Sequence, residues 1–231
     1  MTKKQLSVKV YRMKRILLIF GLALALALPV AALAGSPFVT GDTIIVAEED
    51  IIDGNYLVSG NSINIDGNVN GDVIFAGSNV VINGDVAGDV IGAGASIRIT
   101  GEVEGSVRVA GSNIQIDGQV GHNVIAFGGN VVISDSAEIG WELFTGAGNV
   151  EVRGEIGTNV TGAAGNMLIS GSVGRDLNVA GDTISILPDA SIDGDVTYRT
   201  ENAESLIVSE GATISGEITH DTLDKHFDGN K

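Results

Sequence analysis

Three histidines, His122, His220 and His226, are the only imidazoles in this chain of 231 residues, and cysteine is absent. Without thiols there is no disulfide framework, no thiolate zinc site, no redox dithiol and no lipidated N-terminal cysteine. An imidazole does acid–base or metal chemistry only beside a suitable partner. His122 occupies a slot that elsewhere holds Gly71, Gly88, Trp141, Thr158 or Arg175, the tolerance expected of a solvated turn. His220 and His226 fall in a polar C-terminal stretch. No Ser, His and acid constellation can be assembled, so no catalytic, cofactor-binding or metal-ligating residue is assigned. Two other features could carry chemistry. Asp72, Asp89, Asn123, Asn159, Asp176 and Asp195 recur at one position of a repeat, and stacked side-chain oxygens could bind a divalent cation weakly. Asp and Asn are turn formers first, however. The single tryptophan, Trp141 in SDSAEIGWELF, either covers a widened turn or marks a surface for a partner or glycan.

The elements that position these residues follow from composition and spacing. Glycine contributes 33 residues, proline 3, and aromatics only 4%. Few prolines and no G-X-Y period exclude collagen and proline-rich low complexity. A mean hydropathy of +0.28 argues against a disordered chain. Abundant glycine does not suit a helical globule, since each interior glycine costs a helix about 1 kcal/mol. A net charge of -16 excludes nucleic acid as a partner, because phosphates reward clustered Lys and Arg.

The N-terminus reads as an export signal. Lys3, Lys4, Lys9, Arg12, Lys14 and Arg15 precede an uncharged run, Ile16 to Ala34, which closes on Ala32-Leu33-Ala34. A basic start, an apolar middle and small residues at the end predict a secretory signal over 1–34, cut after Ala34. The run is also near the ~20 residues that span a bilayer, so an N-terminal membrane anchor is the alternative. Either predicts an exported, extracytoplasmic location. Beyond residue 34 the chain holds 7 basic and 29 acidic residues, a net -22.

From about Gly41 to Ile218 the chain is one repeat. AGSNVVINGDVAGDVIG from Ala76, AGASIRITGEVEGSVRV from Ala93 and AGSNIQIDGQVGHNVIA from Ala110 are each one period of 17 residues. Coils start at Thr43, Ser62, Asn79, Ser96, Asn113, Asn130, Asn149, Asn166, Thr183 and Ser205. Position +1 is always apolar (Ile44, Ile63, Val80 and onward to Leu206), as is +3 (Val46, Ile65, Ile82 and onward to Val208), while +2 varies freely. That alternation is a short strand with one buried face. A second apolar pair at +11 and +13 (Val73/Phe75, Val107/Val109) and a lone apolar residue at +7 (Val69, Val86, Val103) predict three strands per coil. Glycines at +5 and two residues before each coil start mark the corners, where φ > 0 or close backbone approach favours a residue without Cβ. Insertions fall at corners: Val46 to Ile52, Ile133 to Ile139, Ile186 to Ile192 and Val208 to Ile214 each take six steps instead of four. The expected fold is therefore all-β, a three-sided parallel β-helix of about ten coils over residues 35–219, followed by a polar tail over 220–231.

Enzymes are built on solenoids too. Left-handed hexapeptide acyltransferases repeat in multiples of six, a phase that 17 breaks, and pectin-lyase-type helices need clustered acids and bases in a groove. The run GDVIFAGSNVVINGDVAGDVIGAGASIRITGEVEGSVRVAG resembles bactofilin-type, polymer-forming cytoskeletal proteins, in particular exported relatives with repeated G-x-V-x-G-D-V units. The resemblance implies a right-handed helix and nucleotide-free, metal-independent end-to-end assembly into filaments, often beside a membrane. It carries no catalytic motif. Typical bactofilins lack an export signal, and exported relatives often continue into membrane helices.

The expected function is a non-enzymatic structural protein of the cell envelope that associates with itself. A coil at the end of a β-helix has unpaired backbone groups that a second copy can meet. Ile44 and Val46 at one end, and Leu206 and Val208 at the other, are the candidate self-association residues. The alternative is a monomeric extracellular rod that recognises a wall glycan or protein partner through its variable +2 and +12 positions.

Overall fold

A computed structural model describes residues 38–222. The expected signal over 1–34 and His226 lie outside the described residues.

The alternating pattern becomes a stack of parallel strands. Ten-residue strands Tyr56–Ile65, Val73–Ile82, Val90–Ile99, Val107–Ile116, Val124–Ile133, Leu143–Val152, Val160–Ile169 and Leu177–Ile186 pair in sequence order. Each pairs with the next in one register: Val80 lies opposite Ile97, Ile97 opposite Ile114, and Ile114 opposite Val131. The coil starts align as the repeat requires, from Thr43 opposite Ser62 to Asn166 opposite Thr183. The chain is a parallel β-solenoid of about ten coils.

Two of the three expected strands of each coil are one. The +11/+13 pair and the following +1/+3 pair lie on a single strand, and the ladder runs on through the glycine corner between them. The glycines themselves explain this. A Cβ built on Gly94 would lie 2.8 Å from the carbonyl oxygen of Gly77, and one on Gly77 would lie 2.9 Å from that of Gly60. Glycine over glycine lets consecutive coils keep ladder distance around the bend. Close approach is therefore the reason for these glycines. Among the described residues only Gly54 and Gly211 have positive φ, 83° and 103°. The third side is narrow. Two-residue strands such as Gln119–Val120 and Glu138–Ile139, and the bridges Val69–Val86–Val103–Val120, close it.

Positions +1, +3, +7 and +11 point inward and stack aliphatic on aliphatic, whereas +13 varies in size, with Phe75 opposite Gly92 and Gly92 opposite Val109. Ile65, Ile82, Ile99, Ile116 and Ile133 have no exposed surface, nor do Val86 and Val103. β-branched chains suit this packing because their rotamers are already restricted. Insertions leave the interior undisturbed: across the widened corner after Ile133, Ile139 still lies opposite Val120 and Ile156. In the coil begun at Thr183 the long strand is interrupted. Val196–Thr200 and Leu206–Val208 are separate strands joined through a 3-10 turn at Ala203–Ser205. The C-terminal tail begins later than its polarity suggests. His220 lies in the strand Ile218–Thr222, opposite Tyr198, with which it stacks at 4.7 Å.

Candidate functional site

The two ends of the solenoid are built differently from its middle. At one end, Phe38–Val46 pairs only with Tyr56–Ile65, and Ile51–Ile52 only with Asn68–Val69, among the described residues. At the other, Leu206–Val208, Thr213–Ile214 and Ile218–Thr222 each pair on one side only among the described residues. Among the described residues each end thus presents open strand edges, the geometry on which a further strand can add.

The structure divides the four candidate self-association residues. Ile44 and Val46 belong to the buried core, with 7% and 4% of their surfaces exposed. Leu206 is partly buried against the core, and Val208 is 42% exposed. The side chains open to a neighbour at the first coil are Phe38, Ile45 and Ile51, and at the last coil Ile207, Val208 and Ile218. Ile45 and Ile207 hold the +2 position, which repeat reasoning treats as unconstrained. The sequence carried no clear signal for them, because Val81, Val132 and Leu168 are aliphatic at the same position in the middle coils, where they are half-buried.

The recurrent Asp/Asn position is a hydrogen-bond ladder. Asp72 Oδ1 accepts the backbone N–H of Asp89 at 2.9 Å, and Asp89 Oδ1 accepts that of Ser106 at 2.8 Å. Further along, Asp176 Oδ1 accepts the N–H of Asp195 at 2.9 Å, and Asp195 Oδ1 that of Glu217 at 2.8 Å. One oxygen of each of these carboxylates therefore satisfies the amide of the next coil. Asn55 opens this column by accepting from Asp72. The insertion in its coil shifts its number and hides it from a fixed-interval reading. Among the described residues no three His, Cys, Asp or Glu side chains converge as a metal site.

A second ladder runs along the coil starts. The Asn130 side-chain amide donates to Asn113 Oδ1, Asn149 donates to Asn130, and Asn166 donates to Asn149, at 2.8, 2.8 and 3.0 Å. Stacked asparagines satisfy each other as in cross-β assemblies. Asn113, Asn130 and Asn149 line, with Arg98, Gln115 and Glu151, a shallow open groove of about 440 Å³. In the next outward column, Asp117 takes hydrogen bonds from Arg98, Gln115 and Ser134. Burial pushes its carboxyl up, but these bonds and the Arg98 charge outweigh that and hold it below the ordinary carboxylate value.

His122 is not an isolated turn residue. Its ring meets that of Trp141 with centroids 4.8 Å apart. Trp141, Thr158 and Arg175 follow it on successive coils, and with Asn123, Glu142 and Asn159 they line a second depression of about 410 Å³.

Among the described residues no helix is long and apolar enough to cross a membrane. The geometry defines a class, the parallel β-solenoid. Compared with protein families, curated proteins and solved structures, the chain matches none.

Proposed function

We propose that this protein is a non-enzymatic structural element of the cell envelope, exported by its N-terminal segment, whose solenoids join through their end coils as in bactofilin-like scaffolds. The observation that carries this reading is the placement of exposed apolar side chains. Among the described residues eight large hydrophobic side chains are exposed, and six of them (Phe38, Ile45, Ile51, Ile207, Val208 and Ile218) lie in the first or last coil beside open strand edges. The sides are polar and acidic, so like charge opposes lateral association while the ends offer both apolar area and unpaired backbone.

Substitution of the exposed +2 residues tests this reading without disturbing the core. Ile45→Lys and Ile207→Lys place a charge in the end contact while removing no buried side chain. Sedimentation and electron microscopy of the purified chain should show end-to-end assemblies in the parent and their loss in both variants, with thermal midpoints unchanged. A parent that stays monomeric, or variants that assemble as the parent does, would sink the proposal. The ends also carry Asp42, Glu48, Glu49, Asp50 and Asp53 on one side and Glu201, Glu204, Glu210 and Glu217 on the other. Assembly should therefore strengthen as salt screens the facing charges.

A further inference from the structure

The corner that holds Trp141 departs from the structural logic of its own column. At this position the other coils carry Gly54, Gly71, Gly88, Gly105, Gly194 and Gly216. A Cβ on Gly105 would lie 2.5 Å from Asp89 Oδ1, the atom that accepts the neighbouring amide in the ladder. Four consecutive coils nevertheless replace glycine with His122, Trp141, Thr158 and Arg175, and the ladder responds. Where the corner residue is glycine, the bond from the following amide is 2.8 to 2.9 Å. After Trp141 and Arg175 it lengthens to 3.2 Å. After His122 and Thr158 the preceding coil offers Ser106 or Glu142, and among the described residues neither side chain accepts the Asn123 or Asn159 amide. Four adjacent coils thus give up the corner glycine, two of them with a longer ladder bond and two without one, and side chains kept at such a place call for a reason other than the fold.

What these side chains present is a recognition surface. Trp141 is 55% exposed, with one side against His122. Asn159 Nδ2 donates to Glu142 Oε1 at 2.7 Å, which orients the carboxylate next to it. The hydroxyl of Thr158 is enclosed without a hydrogen-bond partner. Arg175 is the telling residue. The described residues contain five arginines, and Arg98, Arg108, Arg153 and Arg199 are each paired with a carboxylate. Among the described residues Arg175 alone has no such partner, although the chain is strongly acidic.

We propose that this corner is a binding site for a linear neutral glycan lying along the solenoid axis, independent of end-to-end assembly. An exposed indole offers an apolar ring to the C–H face of a pyranose. A guanidinium, a carboxylate and side-chain amides beside it supply the donors and acceptors that sugar hydroxyls need. Successive coils advance by about 4.8 Å, so the four side chains form a row suited to an extended chain rather than to one small molecule. The acidity of the protein disfavours an anionic polymer.

The chain contains one tryptophan, so its emission reports on this corner alone. The full chain is titrated with cellohexaose and with chitohexaose, using a hexamer of galacturonic acid as the anionic comparison. The expected result is a saturable change in Trp141 emission with a neutral hexaose below ~1 mM. Arg175→Gly and Glu142→Gln should each weaken it about tenfold, a loss that a purely structural residue would not cause at an unchanged thermal midpoint. Affinity electrophoresis in gels containing the same glycans checks Trp141→Ala, which should run unretarded. Emission unmoved by both neutral hexaoses, stronger binding of the acidic hexamer, or equal affinity in the Arg175 and Glu142 variants overturns the proposal.

Discussion

Asp89 separates two readings of the Asp/Asn column, a cation site and a backbone ladder. Its Oδ1 accepts the N–H of Ser106 at 2.8 Å, and its Oδ2 accepts Arg108 Nη1 at 2.6 Å. Ser106 is only 5% exposed, so its amide has little access to water if the acceptor is removed. Asp89→Ala strands that amide, at about 1–3 kcal/mol. It also loses an ion pair whose partners are each one-third exposed, worth no more than about 1 kcal/mol. Asp89→Asn keeps a carbonyl oxygen for Ser106 and loses only the charge, so it should cost about 0–1 kcal/mol. At roughly 2–4 °C per kcal/mol for a domain of this size, the alanine variant should melt several degrees below the parent and the asparagine variant close to it. Circular-dichroism melts of the three proteins, in EDTA and in millimolar Ca²⁺, decide the matter. The ladder predicts this ranking in both buffers and no shift of the parent midpoint between them. An asparagine variant as damaged as the alanine one, or a parent stabilised by Ca²⁺ with that gain lost in Asp89→Asn, would show that the charge and not the acceptor matters.

Two further predictions concern the corners and the outer face. Gly101→Ala drives a Cβ into the carbonyl oxygen of Gly84 and to 2.7 Å from that of Asn83, whereas among the described residues Gly41→Ala meets nothing nearer than Ile44 Cγ1 at 3.4 Å. Denaturant melts should therefore show a loss of about 1–3 kcal/mol for the first and almost none for the second; equal effects would mean that close approach between coils does not select these glycines. Asp117 has its folded pKa lowered, so its contribution to stability is full above the ordinary carboxylate value and is lost as pH falls through the lower folded value. The stability gap between the parent and Asp117→Asn should shrink below about pH 4, and a gap that stays constant through acid titration contradicts the assignment.

The sequence was legible wherever one residue type must recur. A buried row along a solenoid meets its own copy in the next coil, so Ile65, Ile82, Ile99 and Ile116 repeat at fixed distance and expose the register. The corner glycines recur for the same reason, although φ > 0 is needed only at Gly54 and Gly211. The exposed side chains of the end coils were less legible. Ile44 and Val46 look like surface candidates because they open the repeat, yet they lie in the core, and the outward side chain is Ile45. Periodicity says which face a residue takes but not what remains uncovered at a terminus, because that depends on which atoms have neighbours.

The Trp141 corner shows the same division. In sequence, His122, Trp141, Thr158 and Arg175 are a variable slot, and variability resembles a solvated turn. Stacking turns four positions spaced 17 or 19 residues apart into one continuous row, and only there do the His122–Trp141 contact, the two lengthened ladder bonds and an Arg175 without an ion-pair partner among the described residues become a single surface. The order of apolar and glycine positions determined the path of the backbone, since each inward strand must bury its face against a like strand. What the outward side chains offer was decided by the tertiary structure, because residues remote along the chain become neighbours only once the coils are stacked.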